Sequence, residues 1–230
     1  MTAVSEGGSV TSTPRVLSVN VGCPAERMWH GRTVRSAIWK EPFAGPVRVR
    51  RENIAGDAQA DRTAHGGPDK AVYAYAAEDL TWWSDQLHRH LGPGSVGENL
   101  TTSGLDLAGA VVGEHWRVGS VHLQVTQPRI PCYKLGVRLG DDRFPARFAA
   151  ARRHGVYLRV LAEGELHAGD EVHVGERPAH GFRAVELARI FYDQHHRAGE
   201  LLQVAELPET WLRWARRVLG PTLPDALADR

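Results

Sequence analysis

Cysteine occurs twice in 230 residues, and one of the two sits in a stretch built to hold it still. The segment VTQPRIPCYKL, Val125 to Leu135, flanks Cys132 with Pro128 and Pro131 and brackets it with Arg129 and Lys134. The prolines stiffen the backbone, remove two N–H donors and forbid a regular helix, so Cys132 is expected on a loop or a strand end. Nearby cations favour the thiolate, which is both a nucleophile and a soft metal ligand. Two readings stand side by side: a reactive thiolate, and the small buried hydrophobe that a lone cysteine ordinarily is. No CxxC and no paired His/Cys spacing accompanies it, which argues against a zinc site. Cys23, in VNVGCPAER, has no basic cluster around it and reads as structural.

Other polar stretches carry weaker signals. In DRTAHGGPDKAVYAY, Gly66 and Gly67 let the backbone approach a ligand, and His65 and Lys70 flank the bend as phosphate contacts. A tight turn before a strand explains the same residues. In GENLTT, Asn99 either binds a ligand or shapes a turn. Lys40 lies at a strand end before Glu41-Pro42, where a lysine is ordinarily solvated. Asp57 and Asp61, four apart, suit acid–base work or the capping of turns. Arg159 alternates with Leu158 and Val160, facing either the mouth of a barrel or water.

The elements that must position these groups are mostly short strands. VRVR alternates Val47 and Val49 with Arg48 and Arg50, a strand with one wet face. EHWRVGSVHLQVTQ predicts two strands turning at Gly119-Ser120. GVYLRVLAEGELHAGDEVHVG predicts a hairpin turning at Glu163-Gly164, then a third strand after Gly169-Asp170. Turn signals every ten or so residues favour a closed, mostly antiparallel β-barrel, a mainly β fold with added α. Helical spacing recurs in AEDLTWWSDQLHRHLG, ending at Gly92-Pro93, and over Pro145 to Arg153. Past Pro178 the pattern turns helical in three segments, the last opened by Pro208 and closed by Gly220-Pro221. The expected organisation is a leader over 1–14, a β-barrel domain over 15–177 and a three-helix extension over 178–230.

Composition narrows the classes. The chain is 42% hydrophobic, enough for a core, and carries a net charge of +1. That balance gives no electrostatic draw to nucleic acid or an anionic membrane. Arg213, Arg216 and Arg217 on the last helix allow a helix-turn-helix reading, but a solvated charged face is simpler. Two cysteines make no disulfide framework, so a reducing cytoplasm is the expected location. The opening MTAVSEGGSVTSTP has no apolar core and reads as a disordered tail rather than a signal peptide. No stretch reaches the ~20 apolar residues of a membrane span.

Taken in order, SAIWKEP, GDAQADRTAHGGPDKAVYAY, GENLTTSGL, VTQPRIPCYKL and GVYLRVLAEGELHAGDEV resemble the MOSC-domain family, the molybdenum-cofactor sulfurase C-terminal domain, in its YiiM-like branch. The resemblance covers Arg15 to Gly175, and the helical segment resembles that branch's three-helix extension. It implies a β-barrel holding molybdenum cofactor, with Cys132 as the metal ligand. Lys40, His65, Gly66, Gly67, Lys70, Asn99 and Arg129 would line the pocket. The activity implied is reduction of N-hydroxylated compounds, such as hydroxylaminopurine-type bases, to amines; as proton donor, His65 has a suitable intrinsic pKa and Asp61 lies near it in sequence. The family also carries a pyridoxal-phosphate-binding label. The chain has no GxGxxG after a strand to bind flavin or NAD, so electrons would come from a separate flavoprotein reductase. The helical extension is either a docking or homodimer surface or a cover for the barrel. A molybdenum-cofactor or sulfur carrier working through Cys132 is the alternative function.

Overall fold

The structure is a computed structural model describing residues 13–58 and 66–220. Strands β1 (Arg15–Val21), β2 (Ala25–Trp29), β3 (Arg32–Ser36), β4 (Glu41–Pro42), β5 (Val47–Arg50) and β6 (Asn53–Ile54) come first. After a 3-10 turn over Pro68–Lys70 come β7 (Val72–Ala76), helix α1 (Ala77–Leu87), β8 (Leu100–Ser103), β9 (His115–Val118) and β10 (Val121–Pro128). Helices α2 (Tyr133–Leu139) and α3 (Phe144–Ala151) precede β11 (Val156–Ala162), β12 (Gly164–Leu166) and β13 (Val172–Val174). Helix α4 (Ala184–Tyr192), a 3-10 run over His195–Gln203 and helix α5 (Glu209–Leu219) follow.

Eight strands form one sheet in the order β13-β9-β10-β11-β7-β8-β1-β4, antiparallel except for the β7–β8 pair. The alternation read from the sequence is real: β5 is buried at Val47 and Val49 and exposed at Arg48 and Arg50. Val16, Val72, Leu100, Leu123, Val125 and Leu158 fill the main core. A second cluster packs Trp83 of α1 with Phe144 and Phe148 of α3 and with Tyr75. A third joins Leu187, Leu201, Trp211 and Ala215 to Val112.

The expected closed barrel is met only in part. What pairs is a large sheet within a mixed α/β fold, and the start of its end strand β13 meets the start of β1 at one point. Val172 N–H donates to the Pro14 carbonyl (2.8 Å), Val16 N–H to Asp170 (2.9 Å), and Arg15 bridges Glu171. β13 has only three residues, too few among the described ones for a full closing ladder.

Other boundaries also moved. β12 pairs with β5, not with β11, so the expected hairpin is a crossover between sheets. α1 stops at His88, which takes the left-handed conformation (φ 49°), well before Gly92-Pro93. The middle helix of the extension is 3-10, and Gly199 lies inside it, where backbone freedom disfavours the α-form. Residues 1–12 of the leader lie outside the described residues. No helix among the described residues is long and apolar enough to cross a membrane.

Candidate functional site

One cleft gathers Lys40, Lys70, Asn99, Arg129, Cys132 and Lys134. The residues come from distant places in the chain, and each has a visible support.

Cys132 ends the proline-stiffened stretch after β10 and caps the N-terminus of α2, with extended backbone angles and its carbonyl accepting from Leu135 N–H (3.0 Å). Its side chain is partly exposed, and among the described residues there is no disulfide. Cys132 is therefore not fully buried, and it lines the cleft beside the cations.

Arg129 is buried. Its guanidinium lies 5.0 Å from the centre of the Tyr73 ring and donates to the Val96 carbonyl. Burial opposes its charge, but the Tyr73, Tyr157 and Cys132 groups facing it favour that charge and hold it above its ordinary value. The Val96 carbonyl is set by Glu98. This fully buried carboxylate accepts from Gly94 N–H (2.6 Å), Val96 N–H (3.1 Å) and the Thr101 hydroxyl (2.9 Å). Gly97 must be glycine: its φ is +80°, and a Cβ there would stand 2.6 Å from Ile38 Cγ1 and 3.6 Å from the Arg129 guanidinium.

Lys40 is not the solvated strand-end lysine expected. It is 7% exposed and ion-paired with Asp57. Burial lowers its pKa, and the Asp57 charge and hydrogen bond only partly restore it. Asp57 is held in turn by Gly22 N–H (2.8 Å) and Asn99 Nδ2 (3.0 Å). The Asn99 amide is spent on structure: its oxygen accepts from Tyr73 N–H (3.1 Å) and its nitrogen also reaches the Asn20 carbonyl (3.3 Å). Asn99 therefore shapes the site by aiming Asp57.

Lys70 ends the 3-10 turn that begins after Gly67 (φ 93°). Asp69 in that turn is pinned by Arg159 Nε (2.7 Å), and its carbonyl accepts from the Thr126 hydroxyl (2.7 Å). Arg159 is thus a brace for the Lys70 turn. Gly66 and Gly67 stand beside the cleft rather than in its lining. His65 and Asp61 lie outside the described residues.

Sequence reasoning missed several contributors. Tyr73 and Tyr157 line the cleft with rings 5.0 Å apart, and burial raises both hydroxyls so that they stay protonated. Asp57 was noticed, but only as a turn cap or acid–base candidate beside Asp61. His154 was not singled out, yet its Nδ1 meets the Arg129 carbonyl at 2.8 Å. The run of polar residues flanked by apolar ones, as at Arg153-His154-Gly155, was the available signal.

Among the described residues, no three His, Cys, Asp or Glu side chains cluster to chelate a metal ion. Cys132 is the one sulfur among the described lining residues, and the cations around it outnumber the carboxylates. This set fits a group that brings its own metal ligands and an anionic tail.

The chain is similar to several known proteins. Residues 61–173 match the MOSC domain. The uncharacterized protein YflK of Bacillus subtilis (strain 168) is 37% identical over 202 residues, covering 85% of this chain and 90% of that one. Protein YiiM of Escherichia coli (strain K12) is 31% identical over 188 residues, 77% of this chain and 82% of that one. A protein of Gibberella moniliformis (strain M3125 / FGSC 7600) named Reductase is 29% identical over 184 residues, 78% of this chain but 33% of that longer one. The crystal structure of YiiM from Geobacillus stearothermophilus superposes with a TM-score of 0.75 at 28% identity, over 90% of this chain and all of that one.

Proposed function

Because this chain belongs to the MOSC-domain family, in its YiiM-like branch, we propose that it is an oxidoreductase that binds molybdenum cofactor through Cys132 and reduces N-hydroxylated compounds to amines. One observation carries the reading: a thiol and four cationic side chains share a single cleft. The large sheet would form the wall behind it, with its flanks bridged where Pro14 and Val172 meet.

When bound, the cofactor supplies two-electron, oxygen-atom-transfer chemistry. The chain's own residues bind, orient and protonate. Cys132 offers the thiolate that ligation requires. Lys70, Lys134 and Arg129 offer charge to a phosphate, Arg129 from a buried and preorganised position. The reaction R–NHOH + 2 e⁻ + 2 H⁺ → R–NH₂ + H₂O consumes two protons. Lys40 Nζ holds one in the cleft, its acidity raised by burial while Asp57 keeps the proton in place. His65 and Asp61 remain proton-donor candidates on the segment next to Lys70. The electrons are assigned to a separate flavoprotein, since no flavin or NAD fingerprint occurs in the chain.

The test is molybdenum and pterin content per chain for wild type and Cys132→Ala, both made in a host competent in cofactor synthesis, followed by turnover of N-hydroxylated substrates. Near-stoichiometric metal in wild type, lost with activity in Cys132→Ala, is expected. Full activity of Cys132→Ala refutes the reading. Bound cofactor without any turnover would transfer the site to the carrier function, and persulfide on Cys132 without metal would make it a sulfur carrier.

A further inference from the structure

A second hollow opens on the other side of Cys132, between the cysteine stretch and α5. Its volume of about 340 Å³ lies within the range of roughly 300–1,000 Å³ typical of small-molecule sites. Lys70, Cys132 and Tyr157 line both hollows, so the thiol stands on the divide. The walls beyond it are of another kind: Trp211 and Trp214 of α5, with Pro128, Ile130 and Pro131 opposite.

The two indoles are set edge to face, with centroids 5.9 Å apart and planes at 77°. Their spacing along α5 is i, i+3, which puts both on one side of the helix. Trp211 is anchored: its indole N–H donates to Gln127 Oε1 on β10. An indole N–H can only donate, so the amide oxygen must face it and the NH₂ must turn away. That Nε2 is buried and has no hydrogen-bond partner. Gln127 also lines the hollow. One indole face flanked by a second indole edge-on, proline rings and an unspent amide donor make a hollow that a planar ring with acceptor atoms would occupy.

We infer that the hollow between Cys132 and α5 is where the ring of the substrate sits, with Trp214 as the stacking surface and Gln127 as the residue that reads a ring acceptor. The helical extension then has a role in selecting substrate. The inference rests on the proposed reductase activity for the identity of the reacting group, which would face Cys132 across the divide. The pocket itself stands on its own residues.

The test is a calorimetric titration of the full chain with adenine, a planar heterocyclic amine of the product type, which needs neither metal nor electrons. Wild type should bind saturably at one site. Trp214→Ala should weaken binding at least tenfold, and Trp214→Phe, which keeps a ring, should stay within about threefold. Trp214 also packs against Phe191 and His195, so a second variant guards against a folding defect. Thr210→Trp changes an exposed residue of the rim, fills the hollow and should abolish binding. No saturable binding by wild type, or undiminished binding by Thr210→Trp, overturns the inference. Failure of the reductase reading would show in turnover by Cys132→Ala and would leave this titration unchanged.

Discussion

The ring of His154 and the backbone carbonyl of Arg129 are 2.8 Å apart, joining the turn before β11 to the stretch that presents Cys132. A carbonyl only accepts, so Nδ1 carries the proton and Nε2 is the lone-pair nitrogen. Nε2 is buried and has no hydrogen-bond partner. Tyr192 of α4 stacks on the ring at 6.1 Å. A neutral histidine thus clamps the cysteine stretch from below.

That clamp makes His154 one of the groups on which acid stability depends. Burial lowers the His154 pKa from 6.5 to about 4, partly opposed by its bond to Arg129. The unfolded chain therefore binds the extra proton first. Stability is full above pH 6.5 and falls as pH drops toward 4, by up to about 3 kcal/mol at about 1.4 kcal/mol per pH unit. Urea midpoints between pH 4 and 7 should show this slope in wild type and a shallower one in His154→Phe. An unchanged slope in the variant would assign the acid lability to other groups.

Removing either partner of the Lys40–Asp57 pair should not cost the same. Asp57 keeps donors from Gly22 and Asn99 when Lys40 is lost, whereas Lys40 is left as a buried charge when Asp57 is lost. Asp57→Ala should cost about 3–5 kcal/mol in denaturant unfolding, and Lys40→Met clearly less. Asp57 supports the Lys40 proton, so in Asp57→Asn the alkaline limb of any activity that uses it should move to lower pH. Equal costs would mean that the pair is not the lysine's main support.

Gly94 and Gly97 share a φ of +80° but differ in what a Cβ would meet. At Gly94 it would press within 2.5 Å of the Lys40 carbonyl, which is backbone; at Gly97 it would meet the Ile38 side chain at 2.6 Å. A side chain can turn aside and a backbone cannot. Gly97→Ala should cost about 1–3 kcal/mol. Gly94→Ala should cost more and should reduce cofactor uptake by shifting Lys40. Thermal and denaturant midpoints rank the two, and the reverse order would contradict the packing.

The Trp211–Gln127 bond can be separated from the apolar packing around it. Trp211→Phe leaves the amide with neither partner and should cost about 1–3 kcal/mol beyond the lost contacts. Adding Gln127→Leu should recover part of that loss, because both polar partners are then gone. A double-mutant cycle with no coupling would show that the bond contributes nothing net.

Much of the architecture was legible from local chemistry. The alternation at Val47 to Arg50, the Gly119-Ser120 turn and the helical spacing around Trp83 reflect backbone and side-chain geometry over a few residues. The cysteine stretch was legible for the same reason, since its prolines and cations are neighbours. The pairing of β12 with β5 was not, because nothing local separates a hairpin partner from a strand far upstream. His154 was overlooked because its partner lies 25 residues away, and Trp211 because its partner lies 84 away.

By itself, the sequence determined most of the strand and helix segments, many of the turns, and that a stiff, cation-flanked thiol exists. Those properties are written in rotamer and backbone preferences that act over a few residues. Only the tertiary structure decided which charges share a buried environment. Lys40 reads as a solvated strand end until the fold places Asp57 against it and removes the water. Burial and hydrogen-bond partnership belong to the whole packed molecule, and they set the electrostatics of the cleft around Cys132.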